Sequence, residues 1–462
     1  MTKTVCIQGL GFVGFAMAVA VANAVDKVTK KPLYKVIGID LNNAEGIKKI
    51  NDINSGNFPI KCNDEELKKA YKKCLEQKNF IASTNNDEFK KADYVIVDIN
   101  LDVDIKGKYS KIEFAKFKNA LETVASKIKI DTLVIIETTV PPGTTEKIVY
   151  PIFKNKYKER FNTKAIPKLA HSYERVMPGP NYLNSITNFW RVFSGINKES
   201  ALCCEKFLSS IINTKEFPMS ELPSCTASEL SKVLENSYRA TNIAFIYEWG
   251  IFAEKIGVNL FQVLEAIQKR PTHNNIKKPG LGVGGYCLTK DPLMGYVSSN
   301  QIYKNFDAEF PITNKAVNIN SKMPEYTFNL VERLIKELNL NRNILILGLS
   351  YRDQVGDIRN SASIELAKMF LKKNYFLNTH DPMVNDELPI EFNLCESLPS
   401  PFSFGTIIFT VSHTFYKEMD VLKWLLNFKG LLIDSNNVLD NQDILALKQN
   451  LINLKVIGRG DL

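Results

Sequence analysis

The stretch Thr4 to Gly14 reads TVCIQGLGFVG. A short β-rich run leads into Gly9, Gly11 and Gly14, spaced as G-x-G-x-x-G. The next residues, Phe15 to Val25, are small and apolar, as suits a helix packed closely on a sheet. Then YKVIGID ends a second apolar run on Asp40. Strand, glycine turn, helix, strand and terminal acid together predict a dinucleotide-binding unit. The glycines allow a tight turn and close backbone approach to a pyrophosphate. The helix start, at Phe12 and Val13, adds N–H donors and a favourable dipole. Asp40 is placed to accept hydrogen bonds from the adenosine ribose hydroxyls, which favours NAD over NADP. It follows the motif by somewhat more than the usual ~20 residues. The polar connector DKVTKKPL takes up the excess. Lys3 with the apolar FVGFAMAVAVANAV also has the outline of a secretory signal, but the glycine spacing and the second strand favour the folded reading.

The chain has 462 residues, enough for two or three domains with sizeable cores. Its ordinary composition argues against disorder, collagen and disulfide scaffolds. No apolar run reaches the length of a membrane span, so no membrane partner is expected. The net charge of +9 is scattered, as in EELKKAYKKCLEQK, which reads as a solvated helix face. A nucleic-acid binder would concentrate it in a stripe with aromatics, so no nucleic acid is expected either; part of the charge is left to serve an anionic ligand. The eight cysteines are irregularly spaced, with no CxxC pair. Neither a metal site nor a disulfide framework is expected, and a reducing cytoplasm fits best.

Further strands are expected at ADYVIVDI and DTLVIIETTV, with helices between, giving βαβαβ and a parallel sheet. TTVPPGTT breaks the last of these into a loop at its C-terminal end, where open α/β sheets bind ligands. Thr138, Thr139 and Thr144 are there either turn formers or ligand contacts. AIPKLAHSYERVMPGP is another strand and loop, bringing His171, Glu174 and Arg175 to the same edge as a solvated loop or as part of a site. From Ser228 to about Lys269 the pattern is helical. Leu230, Val233, Leu234, Tyr238, Phe245, Trp249 and Phe252 recur at helical spacing, as a core or a subunit interface. Gly257 and Asn259 break it before LFQVLEAIQKR. Lys232 and Asn236 share a face at i and i+4, as a surface pair or as two donors aimed at one oxygen.

After Pro311 a second α/β unit is expected. A helix at EYTFNLVERLIKELN precedes NILILGL, a helix near SIELAKMFLKKN, and FLNTHDP, FGTIIFTV and GLLIDS. It lacks G-x-G-x-x-G and should hold something other than NAD by that mode. The expected fold is α/β: two Rossmann-like parallel-sheet domains joined by a long central helix. The domains are an NAD-binding one over 1–215, a central helical segment for dimerisation and catalysis over 216–320, and a C-terminal Rossmann-like one over 321–462. Between the two halves lies GVGGYCLTKD, Gly282 to Asp291, where Cys287 follows a flexible glycine loop. Taken alone it is either a nucleophile or a small hydrophobe.

In order, GLGFVG, TTVPPGTT, ELSKVLENSYRATNIAF, GVGGYCLTKDP and GLSYRDQVGDIRNSASIEL resemble the UDP-glucose/GDP-mannose dehydrogenase family over essentially the whole chain. The resemblance implies oxidation of a nucleotide sugar's 6-hydroxyl to a carboxylate in two hydride transfers, with two NAD consumed and the aldehyde stage held on Cys287. By the same resemblance Lys232 stabilises the alkoxide with Asn236 as partner, and Asp291 with Thr139 positions or activates water. Glu174 lies beside the reacting carbon, with Arg175 following it, and Lys290 stands near the thiol. Gly282, Gly284 and Gly285 admit the sugar ring and diphosphate. Lys278 and Arg352 contact the nucleotide sugar, Arg270 serves the neighbouring subunit's substrate, and Arg359 reaches the cofactor side. The product would feed polysaccharide synthesis.

Several positions depart from the family pattern. VDINLDVD replaces a V-x-T-P-T stretch, so Asn100 stands in for a cofactor-contacting threonine. Tyr173 replaces a common proline and Asn436 a common arginine. ERVMPG, with Pro178 where the UDP-glucose branch has a second acid, follows the UDP-N-acetylhexosamine branch, although that branch usually has histidine at Tyr286. The leading reading is therefore an NAD-dependent UDP-sugar 6-dehydrogenase, with an acetamido sugar preferred to glucose and a homodimer or higher homo-oligomer built on the apolar helix. The alternatives are a two-electron dehydrogenase of β-hydroxyacid type and a non-catalytic nucleotide-sugar-binding protein.

Overall fold

The computed structural model describes residues 2–60, 62–106, 109–304, 308–384 and 388–462. The chain divides into two compact units, Met1–Glu235 with Leu293–Phe310, and Asn236–Pro292 with Pro311–Leu462.

The first unit is built on β1 (Lys3–Gln8), β2 (Tyr34–Ile39), β3 (Phe80–Ser83), β4 (Tyr94–Val97), the hairpin β5 (Val103–Lys106) and β6 (Tyr109–Ile112), β7 (Leu133–Ile136), β8 (Leu169–His171), β9 (Val192–Gly195) and β10 (Ser220–Glu221). Its eight-stranded sheet runs β10-β9-β8-β7-β4-β1-β2-β3. The strands expected from the sequence are its centre, and they pair in parallel. Parallel strands are covered on both faces and read as unbroken apolar runs. Tyr94–Val97 and Leu133–Ile136 are accordingly buried at every position. The edge departs from the expectation, because β9 lies antiparallel to β8. Mixed sheets commonly carry such an edge strand. The helix Phe12–Ala22 is apolar all round and buried from Gly14 onward, which is why its sequence shows no polar stripe.

Leu293–Phe310 returns to this unit and completes its core. Met294 and Val297 are fully buried among β4, β7 and the helix Ala115–Lys127. Ser298 Oγ donates to Pro142 O at 2.6 Å. The Gln301 amide bonds both backbone groups of Ile112, at 2.8 and 3.0 Å.

The second unit is built on a five-stranded parallel sheet of β11 (Asn343–Leu347), β12 (Phe376–His380), β13 (Thr406–Phe409), β14 (Leu431–Asp434) and β15 (Asn453–Val456), in the order β12-β11-β13-β14-β15. Its leading helix starts earlier than expected. It runs unbroken over Pro311–Glu337 with Pro324 inside. An interior proline removes one backbone bond, and the buried Pro324 ring packs close to Gly282. The long helix Cys225–Lys255 contributes residues to both units. Val233 is buried, but Leu230, Leu234, Tyr238, Phe245, Trp249 and Phe252 of its stripe are about half exposed or more, so within one chain the stripe is surface rather than core. Asn259 caps the next helix through the N–H groups of Phe261 and Gln262.

Candidate active site

In the first unit, β1 ends in a turn whose glycines are each forced in a different way. Gly9 has φ +96°, and a Cβ there would meet Asp98 O at 2.2 Å. A Cβ on Gly14 would lie 1.9 Å from Gly9 O. Gly11, by contrast, is exposed with nothing within 4 Å of its Cβ position, and no side chain caps the helix it begins. The open space lies at a helix N-terminus suited to an anion. A dinucleotide pyrophosphate fits there: two glycines shape the turn and the third leaves room.

Asp40 follows β2 as expected. Its Oδ2 accepts Leu10 N–H at 3.1 Å and its Oδ1 accepts Leu41 N–H at 2.8 Å. The Lys49 ammonium also sits 2.8 Å from Oδ2. Asn100 is exposed beyond β4. Nearby, Asp98 Oδ2 is buried and makes no hydrogen bond. Burial first, then Glu174, pushes this carboxyl up to about 8, with Arg191 opposing. Arg191 itself pairs with the buried Glu137.

The TTVPPGTT threonines separate by role. Thr138 Oγ1 is engaged with Val97, Ile99 and the Ile99 N–H, and Thr144 Oγ1 donates to Pro141 O at 2.6 Å, so both are turn formers. Thr139 is half-buried, and its hydroxyl makes no hydrogen bond among the described residues. The loop is fixed by a residue that sequence reading missed. Buried Glu229 accepts Gly143 N–H at 2.6 Å and Thr145 N–H at 2.7 Å. Burial pushes Glu229 up to about 8 against these donors. The available signal was its spacing, three residues before Lys232 and so on the same helix face.

Lys232 donates to Glu174 O at 2.8 Å, and its ammonium lies 3.7 Å from Glu174 Oε1. It also stands 5.2 Å from the ring centre of Tyr173. The departure from proline at 173 thus supplies a buried aromatic wall for the lysine, a favourable place for a cation. Glu174 Oε2 accepts Val176 N–H at 2.6 Å. Arg175 is engaged within the unit by Glu235 at 3.0 Å, Trp190 O at 3.0 Å and Tyr173 Oη at 3.2 Å. His171 is not on a solvated loop. It is buried with Nδ1 2.8 Å from Ser228 Oγ, and burial, then Lys232, pushes it down to about 3.

In the second unit, Asn236 Nδ2 donates to Asp291 Oδ2 at 2.8 Å, and both residues are 1% exposed. Asp291 Oδ1 makes no hydrogen bond, although the Lys290 ammonium is 3.4 Å away. Cys287 is exposed, forms no disulfide, and opens the short helix Cys287–Lys290. The loop before it is latched to the second Rossmann-like half. Gly285, at φ +77°, donates to Arg359 O at 3.2 Å and accepts from Asn360 Nδ2 at 3.1 Å. A Cβ there would lie 2.7 Å from the Tyr351 ring. One on Gly284 would lie 2.8 Å from Asn360 O. The close approach that these glycines permit is therefore to the chain's own backbone and to Tyr351.

Lys290 is buried, with its ammonium 4.3 Å from the Tyr286 ring centre, and Arg359 lies 5.5 Å from the same ring. Arg359 is held by Asp357 through Nε at 3.0 Å and Nη2 at 2.6 Å, and this partner raises its pKa. Arg352 is half-buried beside Asp353 at 3.5 Å. The loop leading to it is anchored from below, because Asp381 Oδ2 accepts the N–H groups of Leu349 and Ser350 and lies 3.2 Å from His413 Nε2. Lys278 is exposed near the Phe261 ring, and Arg270 is exposed. Asn436 Oδ1 would lie 2.7 Å from a Cβ on Gly280. Among the described residues, no group of three or more His, Cys, Asp or Glu could hold a metal ion, and no helix is long and apolar enough to cross a membrane.

Comparison with known proteins gives a consistent result. UDP-N-acetyl-D-mannosamine dehydrogenase of Methanococcus vannielii is 29% identical over 465 residues, covering 99% of this chain and 97% of that protein. Protein CapL of Staphylococcus aureus is 28% identical over 84% of this chain and 82% of its own length. The solved structure of UDP-D-ManNAc dehydrogenase from Pyrococcus horikoshii superposes with a TM-score of 0.82 at 25% identity, with all of each chain covered. The sequence models of one family match in succession: its NAD binding domain at residues 3–212, its central domain at 226–322 and its UDP binding domain at 345–441. The glycine cradle falls in the first of these domains, the Lys232 helix and the Cys287 loop in the second, and Tyr351, Arg359 and Asn360, which latch that loop, in the third, and the chain belongs to the UDP-glucose/GDP-mannose dehydrogenase family of NAD-dependent oxidoreductases.

Proposed function

We propose that this protein oxidises the 6-hydroxyl of a UDP-N-acetylhexosamine to the carboxylate, with UDP-N-acetylmannosamine the first substrate to try and UDP-glucose the second. The observation that carries the reading is Cys287, exposed at the head of its helix on a loop held by Tyr351, Arg359 and Asn360, in the same unit as the buried Asn236–Asp291 pair. The relatives' names support the acetamido sugar, as does the ERVMPG stretch.

NAD, when bound, supplies the acceptor for one hydride in each of the two oxidations. Gly9, Gly11, Phe12, Val13 and Gly14 hold its diphosphate, Asp40 its ribose, and Asn100, Thr139 and Arg359 flank it. In the first oxidation the sugar C6 loses a hydride and its hydroxyl a proton, and Lys232 with Asn236 stabilises the developing alkoxide. The Cys287 thiolate then adds to the aldehyde carbon, giving a thiohemiacetal. A second hydride leaves that carbon, producing a thioester. Water, positioned by Asp291 and Thr139 beside Glu174, adds to the thioester carbon, the C–S bond breaks, and the carboxylate leaves with the thiol restored. Each sugar thus yields two hydrides and releases the protons of its hydroxyl and of the added water.

Glu174, Arg175, Lys278 and Arg352 contact the nucleotide sugar, with a guanidinium at Arg352 suited to phosphate, while Gly284 and Gly285 let the loop that carries Cys287 sit against Tyr351 and Asn360. Arg270 serves a neighbouring subunit. The functional division follows 1–215 for cofactor, 216–320 for dimerisation and catalysis, and 321–462 for nucleotide. The exposed aromatic stripe of the long helix supports a homodimer, since apolar patches of this kind are normally covered. The reaction belongs in the cytoplasm, ahead of polysaccharide assembly.

A panel of UDP-ManNAc, UDP-GlcNAc, UDP-glucose and GDP-mannose, with NADH counted per product and the product weighed by mass spectrometry, tests the reading. The expected result is two NADH per uronate with an acetamido sugar. One NADH per sugar, or no turnover across the panel, would refute it.

A further inference from the structure

Arg352 is carried on the loop that leaves β11, and one side chain from beyond β13 holds that loop on both sides of it. Gln354 N–H donates to His413 Nδ1 at 3.0 Å. Ser350 Oγ donates to Arg352 O at 2.8 Å and lies 3.0 Å from His413 Nε2. His413 and Ser350 are buried. Gln354 has φ +58°, a left-handed conformation that a non-glycine residue keeps only when its surroundings impose it. Its side chain is tied to the same segment, since Oε1 accepts Thr414 N–H at 3.1 Å.

These bonds fix the state of the imidazole. A backbone N–H can only donate, so Nδ1 is bare. Ser350 has a single hydroxyl hydrogen, used on Arg352 O, so toward Nε2 it accepts. Nε2 therefore carries the ring hydrogen, which also faces Asp381 Oδ2 at 3.2 Å. The trio is not arranged as a hydrolytic triad, because Ser350 and Asp381 meet the same ring nitrogen. Its work is instead on the backbone. A hydrogen on Nδ1, in the other tautomer or in the imidazolium, would face the Gln354 N–H and release it.

The geometry points to His413 as a positioning residue for the nucleotide: by accepting the Gln354 N–H it holds the Ser350–Gln354 turn in the shape that presents the Arg352 guanidinium to the diphosphate of the UDP-sugar. The inference rests on the nucleotide reading of Arg352 and deepens it. It concerns binding and does not depend on which sugar is oxidised.

The test is calorimetric titration of the full chain with UDP, and fluorescence titration with NADH, for the unaltered protein, His413→Asn, His413→Gln, His413→Leu and Arg352→Met. Asparagine puts an oxygen acceptor near the place of Nδ1. Glutamine reaches the place of Nε2 and leaves the Gln354 N–H without an acceptor. UDP affinity should stay within about threefold in His413→Asn and fall by about tenfold or more in His413→Gln and His413→Leu, with NADH affinity unchanged in all three. If His413→Leu does not fold, the asparagine and glutamine variants decide between them. Ring 15N spectra of the unaltered chain, which has four histidines, should include a neutral one protonated on Nε2. Equal UDP affinity in His413→Asn and His413→Gln, or the absence of that tautomer, would overturn the role of His413, while weaker UDP binding by Arg352→Met would leave the nucleotide reading standing. If Arg352→Met binds UDP as tightly as the unaltered chain, the nucleotide reading of that loop fails and the inference falls with it.

Discussion

Asn236 donates its side-chain amide to Asp291 Oδ2 across 2.8 Å of buried space, and the other oxygen of that carboxylate makes no hydrogen bond. An aspartate held this way is fixed in orientation and has one oxygen left to engage water. Asp291→Asn keeps the shape and removes the base, so uronate formation should fall by about 10²-fold or more. Asn236→Ala leaves a buried carboxylate short of a donor and should cost about 1–3 kcal/mol of stability, read as a lower urea midpoint. Wild-type rates in Asp291→Asn would remove it from the hydrolysis step.

Cys287→Ser tests the covalent intermediate. The side chain is exposed at the start of its helix, so the change should be silent in thermal unfolding. Uronate formation should drop to trace levels while NADH titration is unaltered. Uronate made at the normal rate by the serine variant would exclude a thioester.

Gly11 and Gly14 should separate binding from folding. Alanine at Gly14 drives a methyl into Gly9 O and should destabilise the first unit by about 1–3 kcal/mol or more. Alanine at Gly11 meets nothing in the protein, so its melting temperature should stay near the unaltered value. Its methyl occupies the space assigned to the pyrophosphate, so NADH affinity should fall by about tenfold or more, about 1.4 kcal/mol. Equal NADH affinity in Gly11→Ala would move the cofactor elsewhere.

His171 gives the fold an acid-sensitive element. Its ordinary value of 6.5 is pushed down to about 3 by burial and Lys232, so the folded protein keeps it neutral while the unfolded chain protonates it. Below about pH 6.5 the unfolded state binds more protons. This residue's contribution to stability is therefore complete above that pH and lost as pH falls toward 3, with a slope of up to about 1.4 kcal/mol per pH unit. His171→Asn retains a polar partner for Ser228 and lacks the titration. Urea unfolding between pH 7 and pH 5 should show a shallower loss in the variant, and identical slopes would contradict the assignment.

Much of this was legible in the sequence where one physical demand acts on contiguous residues. The glycine turn, the apolar strands of the parallel sheets and the Asn259 cap are of that kind. So is the helical spacing of Lys232 and Asn236. The strands at Phe80–Ser83, Val192–Gly195 and Asn453–Val456 were missed because they are short and their pairing is decided by distant neighbours. The helix expected from Glu325 runs from Pro311 for a related reason, since packing of the Pro324 ring against the Gly282 loop accompanies a helix that local propensity would end there. Glu229 and Lys49 escaped notice because their roles depend on contacts 84 and nine positions away in sequence, with a loop N–H and with Asp40 respectively. Motif reading names the partners of a cofactor or substrate. It does not show which protein groups already compete for them.

The return of Leu293–Phe310 to the first unit bears on how the molecule is made. Met294, Val297 and the Gln301 clamp close a core whose other walls come from residues before 236. On the ribosome, that unit cannot finish folding until the chain has been synthesised past residue 310, with the Cys287 loop already emerged. Until then an apolar seam beside the helix Ala115–Lys127 stays open to chaperones and to self-association. A fragment ending at Glu235 will lack its closing piece, so the cofactor half cannot be harvested as an independent module.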